Sequence, residues 1–400
     1  MAFTTIPGTG GNDVTSLIGT SGVDTALIQG LNERVFVNGL GDFDVIDFLS
    51  STTLVSDFTI QGGDGNDAIR SIGTNAVRSL FNGNDGADII TIDAITQGSV
   101  FGGQGADLIS LSTLSNVSLN GNQGADLINL FVGASSSSLF GGKDNDQFLL
   151  GGDFTFADIR GDNGNDQIQL FTNSSLNNST INGNAGNDVI RLLGSVSMDG
   201  TNSTIYGGAG DDVIDAVANS LSSILAGSNG NDSITGGSSA DSLFGGDGND
   251  LIVGSNGADR MRGDAGADSF AYAAGSGGQA QTGNVLTGVI DRILDFTSGV
   301  DLISGFGVSG SGQFDSFLGG FATYADARVG VANQLSLDGD DYVVTAYGSG
   351  SAWTAVLFLD ILNPALDPFT PLGAIQIGTT GQYASQAQAI AAITASDILA

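Results

Sequence analysis

The sequence predicts an all-β fold: a right-handed parallel β-roll with stacked glycine-aspartate turns, followed by a small, mainly β C-terminal cap. Three observations carry that prediction. A nine-residue unit is written five times between Gly227 and Phe270. Each copy is a glycine-rich turn closed by an aspartate, with an apolar residue two places on. The same turn recurs upstream from Gly62 at intervals near 20 residues, and between turns the apolar residues alternate, as in strands with one buried face.

Residues 1–60 read as irregular N-terminal coils that cap the roll. GTGGND (Gly8 to Asp13) and GTSGVD (Gly19 to Asp24) are recognisable turns. The turn ending at Asp44 has Asp42 where glycine is usual. Terminal repeats are commonly worn in this way.

Residues 61–270 form the regular roll. Its turns close at Asp67, Asp88, Asp107, Asp126, Asp146, Asp166, Asp188, Asp212 and Asp232, with spacings of 21, 19, 19, 20, 20, 22, 24 and 20 residues. Two nine-residue units make one coil. A period near 20 therefore predicts one aspartate turn per coil and a looser Ser/Asn/Thr-rich loop on the far side, as at Ser135–Ser138 and Thr172–Ser179. After each aspartate an alternating strand directs Ile109 and Leu111, Ile128 and Leu130, Phe148 and Leu150, Ile168 and Leu170, and Ile190 and Leu192 inward. A second strand returns to the next turn. Its inward residue sits two places before the first turn glycine: Ile60, Phe81, Val100, Leu119, Leu139, Ile159, Ile181, Ile205 and Leu225. From Asp232 the spacing drops to nine. This puts Asp232, Asp250 and Asp268 on one edge and Asp241 and Asp259 on the other. Counted from Asp24, the first edge carries 13 turns.

Residues 271–400 form the cap and C-terminal region, where the aspartate turns stop. Val289 to Gly307 reads as a strand or short helix, a turn and a strand. Asp338 to Ile361 reads as a β-hairpin turning at Gly348–Ser351. The last stretch, from Ser385, reads as a short amphipathic helix.

Composition narrows the chemistry. The net charge is −33, and of the 43 acidic residues only Glu33 is not aspartate. A short carboxylate held close to the backbone suits a turn or a cation-binding loop. Without compensation such charge opposes the compact state, and a divalent counter-ion would relieve it. This acidity excludes nucleic acid as a partner, since phosphate binding needs clustered Lys and Arg. The chain has no His and no Cys. That removes histidine-dependent triads, the usual zinc ligands and thiolate chemistry. No run of 18 apolar residues is present to form a transmembrane segment, and the N-terminus lacks the pattern of a cleaved signal peptide.

The turn pattern G-G-x-G-x-D-x-U-x, with U apolar, has a physical reading as a calcium site. Glycines permit positive φ, so backbone carbonyls can point inward around a tight turn. The carboxylate supplies charge. Calcium takes six to eight oxygens, so each ion would draw on the turns of two neighbouring coils. Magnesium demands a smaller octahedral shell and fits poorly. About 12 ions on the first edge, and one more between Asp241 and Asp259, follow from the turn count.

These turns resemble the RTX, or haemolysin-type calcium-binding, repeat family over Gly8 to Phe270. The resemblance implies that Asp67, Asp88, Asp107, Asp126, Asp146, Asp166, Asp188, Asp212, Asp232, Asp241, Asp250, Asp259 and Asp268 are carboxylate ligands to multiple calcium ions. It implies that turn glycines such as Gly103 and Gly105 lend carbonyls; the next turn has Asn122 in the second glycine's place. In GGKDND, Lys143 and Asp144 depart from the pattern, which puts that site in question. Asp291 to Ile303 is similar to the cap that follows such repeats in secreted bacterial proteases, and the ending DILA is similar to a type I secretion signal. An extracellular or cell-surface location, with type I-like export, is what the resemblance implies.

For function, the sequence favours a non-enzymatic structural protein. GVSGSG (Gly307 to Gly312) has the letters of a serine-nucleophile turn but no histidine to activate it. The regular coils offer only scattered Lys143, Arg70, Arg78, Arg160 and Arg191 to a polysaccharide-modifying enzyme. Ice binding would want a threonine row, and the third turn positions are mixed. Two outward rows suit self-assembly into a surface layer, filament or matrix: Ile89, Leu108, Leu127, Val189 and Val213 in one, Phe101, Phe140 and Tyr206 in the other. The alternative is an adhesin-like module that binds polysaccharide or a partner cell.

Overall fold

Strand periodicity of two fixes which side chains meet. The alternation read in the sequence produces parallel strands whose buried residues stack directly over one another in a computed structural model of the chain. The structure describes residues 4–6, 15–28, 34–49, 55–198, 202–219, 221–271, 291–295, 301–304, 314–321, 342–349, 352–359 and 373–377. By its internal contacts the chain divides into two units, Met1–Ala209 and Gly210–Ala400.

In the first unit each coil has an incoming strand that runs into the glycine turn and an outgoing strand that leaves the aspartate. Incoming strands include Leu80–Asp85, Ser99–Gln104 and Ser118–Gln123. They pair in parallel, with Val100 opposite both Phe81 and Leu119. Outgoing strands include Ile89–Thr96, Leu108–Ser115 and Leu127–Ser135, with Ile109 opposite Ile90 and Ile128. Every inward residue foreseen from the register, from Ile60 through Leu139 to Ile205, is buried. Full burial of one such side chain contributes roughly 1.5–3 kcal/mol. The first coils add an aromatic cluster in which Phe48 packs against Phe58 and Phe81, with ring centroids 5.0 and 6.5 Å apart. At the start, Thr4–Ile6 pairs antiparallel with Thr15–Ile18.

The far side differs from the sequence expectation. Ser135–Ser138 is not a loose loop: Ser135 ends an outgoing strand and Ser138 begins an incoming one. Between them Ser136 takes a left-handed conformation (φ 49°) and Ser137 is buried. Arg78, Asn116, Phe156 and Asn178 hold the equivalent left-handed position in other coils, at φ 50–53°. Thr172–Ser179 likewise contains a strand, Ser175–Asn177. The reason is the parallel ladder. Once one coil's far-side backbone is extended, its neighbours gain hydrogen bonds by extending too.

In the second unit the coils shorten to nine-residue halves. Ile224–Asn229, Ser242–Asp247 and Arg260–Ala265 form the incoming ladder. Val213–Asp215, Ser233–Thr235, Leu251–Val253 and Ser269–Ala271 form the outgoing one. Asp291–Ile293 then pairs with the incoming ladder and Leu302–Ser304 with the outgoing one, so this segment is built as a further coil. It is strand and strand, resolving the sequence's strand-or-helix alternative. Tyr342–Ser349 and Ala352–Leu359 pair antiparallel with Ser349 opposite Ala352, the hairpin read from the sequence. Ala352–Leu359 pairs on with Gly373–Ile377, which joins Asp291–Ile293. The helix expected from Ser385 lies outside the described residues.

Candidate metal centre

Each turn places its carboxylate by two constraints. Glycines at the second and fourth positions supply positive φ, as at Gly103 (123°) and Gly105 (114°). The first glycine has another role. A Cβ on Gly102 would collide with Asp107 Oδ2 and with the carbonyl oxygen of Gly121 in the next coil. Gly83, Gly121, Gly141, Gly161, Gly183 and Gly245 repeat this geometry, each against its own turn's aspartate and the next coil's first-glycine carbonyl. The missing side chain is thus a cradle in which a carboxylate oxygen and a carbonyl oxygen converge.

The other carboxylate oxygen holds the stack together. Asp88 N donates to Asp107 Oδ1 at 2.8 Å, Asp107 N to Asp126 Oδ1 at 2.8 Å and Asp126 N to Asp146 Oδ1 at 2.8 Å. The same bond runs from Asp24 to Asp44 and Asp44 to Asp67 at the start of the first unit. In the second unit it runs from Asp212 to Asp232, Asp232 to Asp250 and Asp250 to Asp268. Asp241 N donates to Asp259 Oδ1 at 2.8 Å on the opposite edge. The two edges read from the nine-residue spacing are therefore two separate ladders.

In nine of these aspartates Oδ1 is satisfied and Oδ2 is not, whereas on the opposite edge Asp241 Oδ2 accepts Gly237 N at 2.7 Å. In Asp44, Asp67, Asp88, Asp107, Asp126, Asp146, Asp166, Asp232 and Asp250 the Oδ2 atom is buried without a protein hydrogen-bond donor. A buried carboxylate oxygen without a partner is costly. Burial accordingly raises these acids. Asp67, Asp88, Asp107 and Asp166 rise from 3.8 to about 7, and Asp44, Asp126, Asp188, Asp232, Asp241, Asp250 and Asp268 to about 6. The oxygens are hard, anionic or carbonyl, and held in register, which is the donor set calcium takes. Among the described residues no three carboxylates converge on one point. An ion here would bind one or two carboxylates and complete its shell with backbone carbonyls.

The irregular turn at Lys143 and Asp144 keeps this architecture. Asp144 takes the positive φ of a glycine (74°), and Asp146 both accepts from Asp126 and donates to Asp166. Asp146 rises to about 8, mainly by burial, with the charges of Asp126, Asp166 and Asp144 adding to it. The extra acid concentrates negative charge at the turn.

Three features escaped the sequence reading. Asp301 is a further rung: it is buried, and its Oδ1 accepts Asp268 N at 3.0 Å, so the aspartate ladder does not stop at Asp268. Asparagines before the closing aspartate form a rim ladder, in which Asn145 Oδ1 accepts Asn165 N and Asn165 Oδ1 accepts Asn187 N. The repeated N-D of the turns is the signal that could have revealed it. Finally, buried serines line the far edge. Ser79 Oγ accepts Phe58 N, Ser137 Oγ accepts Val117 N and Ser179 Oγ accepts Ala157 N.

The family model for the RTX calcium-binding nonapeptide repeat (4 copies) matches residues 59–71, 175–193, 199–219, 217–252, 237–270 and 244–277. No curated protein matches the chain.

Proposed function

Because the chain carries RTX calcium-binding repeats that take calcium at several sites, we propose that it is a secreted structural protein whose folding and assembly at the cell surface depend on calcium. Such repeats are typical of extracellular proteins and of structural rather than catalytic parts. The carrying observation is the ladder of buried Oδ2 atoms without protein donors, which makes the roll incomplete without a cation. In this reading Asp67, Asp88, Asp107, Asp126, Asp146, Asp166, Asp188, Asp212, Asp232, Asp241, Asp250, Asp259 and Asp268 are the carboxylate ligands, with turn glycines lending carbonyls.

The outer faces support assembly into a layer, filament or matrix. Ile89 and Leu251 are exposed in the row that follows the aspartates, and Tyr206 is exposed on the incoming side. Within the first unit Phe131, Val132, Phe171 and Leu193 are also exposed, Phe131 to 65%. The other members of the two rows, Leu108, Leu127, Val189, Val213, Phe101 and Phe140, are half-buried, so the exposed residues named here carry the support, as exposed apolar patches mark contact surfaces. Electron microscopy of the purified chain with calcium, and again with EGTA, tests the reading. Ordered sheets or filaments that dissolve in EGTA are expected. Monodisperse particles at high concentration in calcium would overturn the assembly claim.

A further inference from the structure

A strongly acidic chain has few places where an anion can approach, and one of them is a built groove in the first unit. Arg34, Asp57, Arg78, Gln97 and Asn116 each sit two residues before the paired position on successive coils of the far edge, since Phe36 is opposite Thr59, Thr59 opposite Leu80, Leu80 opposite Ser99 and Ser99 opposite Ser118. Those paired residues, all half-buried, floor a groove of about 1080 Å³, with Phe101 beside them. This edge lies opposite the aspartate turns. Of the 10 basic residues in the chain, the groove takes two.

Its electrostatics are specific. Asp57 grips Arg78 through Nε and Nη2 at 3.0 and 2.8 Å, which holds its carboxyl below the usual range. Arg78 Nη1 makes neither of those bonds. Arg34 acts on Asp57 only as a more distant charge. The groove thus offers one net positive charge, a fixed carboxylate acceptor, two amide side chains, hydroxyls of Thr59, Ser99 and Ser118, and apolar Phe36, Leu80 and Phe101.

We propose that this groove binds a carboxylated glycan, with sugar carboxylates at Arg34 and Arg78, sugar hydroxyls on Asp57, Gln97 and Asn116, and ring faces on Phe36, Leu80 and Phe101. A guanidinium pairs with a planar carboxylate through parallel hydrogen bonds. A single net charge suits a monoanion in each sugar unit, whereas the fixed Asp57 carboxylate repels the denser charge of phosphate. Coils repeat about every 4.8 Å, so a linear chain lying along the edge passes Arg34, Asp57, Arg78, Gln97 and Asn116 in succession. The proposal goes beyond calcium-dependent assembly and does not require it.

The test is calorimetric titration of the full-length chain in calcium with tetragalacturonate, with maltotetraose as neutral control and inorganic polyphosphate as a second anion. Saturable binding of tetragalacturonate is expected, weakened at least tenfold by Arg34→Glu and several-fold by Phe101→Ala, strengthened by Asp57→Asn, and reduced by salt. Calcium stoichiometry and circular dichroism of the variants are expected to match the parent. Equal binding of maltotetraose, tighter binding of polyphosphate, or no effect of Arg34→Glu in a folded variant would overturn the assignment. So would loss of concentration-dependent self-association in Arg34→Glu by sedimentation velocity without glycan, which would make the groove a contact between copies. Retained sheet formation with lost glycan binding, or the reverse, separates this proposal from assembly.

Discussion

The two edges of the first unit solve one backbone problem with different chemistry. On both, a side-chain oxygen accepts an N–H from the preceding coil. On the aspartate edge that oxygen is Asp Oδ1, as between Asp88 and Asp107. On the opposite edge it is a serine hydroxyl, as between Val117 and Ser137. A serine then disposes of its own proton: Ser79, Ser137 and Ser179 donate to the carbonyls of Val77, Ser135 and Asn177, two residues earlier. An ionised aspartate has no proton to give and leaves Oδ2 buried beside the first glycine. The serine rungs are neutral and self-sufficient. The aspartate edge needs a cation, so calcium dependence belongs to the closing residue rather than to the parallel coil.

The contrast breaks most visibly when calcium is removed. In EGTA at pH 7.5 the chain is expected to lose most of its β circular dichroism cooperatively, because every aspartate rung fails together. A β signal that persists unchanged in excess chelator would refute this.

Acid provides a sharper cut. The rung carboxyls have folded-state pKa values of about 6 to 8 against 3.8 unfolded, so the folded state binds protons more tightly. In the absence of calcium their contribution to stability is fully present below about pH 4, and it disappears as pH rises through 6 to 8. Urea unfolding in EGTA should therefore show higher stability at pH 4 than at pH 7. In saturating calcium the trend should reverse, since protons then compete with the ion.

Exchanging the closing residues tests the edges one rung at a time. Ser137→Asp puts a carboxylate against the Ser135 carbonyl, with no glycine cradle to receive it. It is expected to cost about 3–5 kcal/mol, without rescue by calcium, in denaturant titrations at matched calcium. Ser137→Ala only orphans the Val117 N–H and should cost about 1–3 kcal/mol. The smallest effect is expected on the rim, where Asn165→Ala removes an exposed acceptor of Asn187 N and should cost about 0.5–1.5 kcal/mol.

Much of this architecture was legible because it repeats. The inward register at Ile60, Phe81 and Val100 and the two aspartate edges after Asp232 follow from spacing alone. The serine edge was not legible, since Ser137 lies in a run of serines and its burial depends on the neighbouring coils. Asp301 was hidden for another reason. It follows Asp268 by 33 residues, outside the repeat spacing, although TSGVD before it repeats the letters of the turn that ends at Asp24; strand pairing at Leu302 returns it to the ladder. The Asp144 turn looked broken because a glycine was absent. Aspartate tolerates a left-handed backbone better than most residues, so the turn survived.

The ladder also has a direction. In the rungs from Asp24 to Asp67, Asp88 to Asp166, Asp212 to Asp301 and Asp241 to Asp259, the aspartate's N–H is accepted by the carboxylate of the coil that follows it in the chain. Trimming coils from the N-terminal side leaves each remaining donor with its acceptor, whereas trimming from the C-terminal side strands a buried N–H at the new end. A coil still waiting for its successor is unfinished business for the chain, so the roll can be shortened safely from one end only.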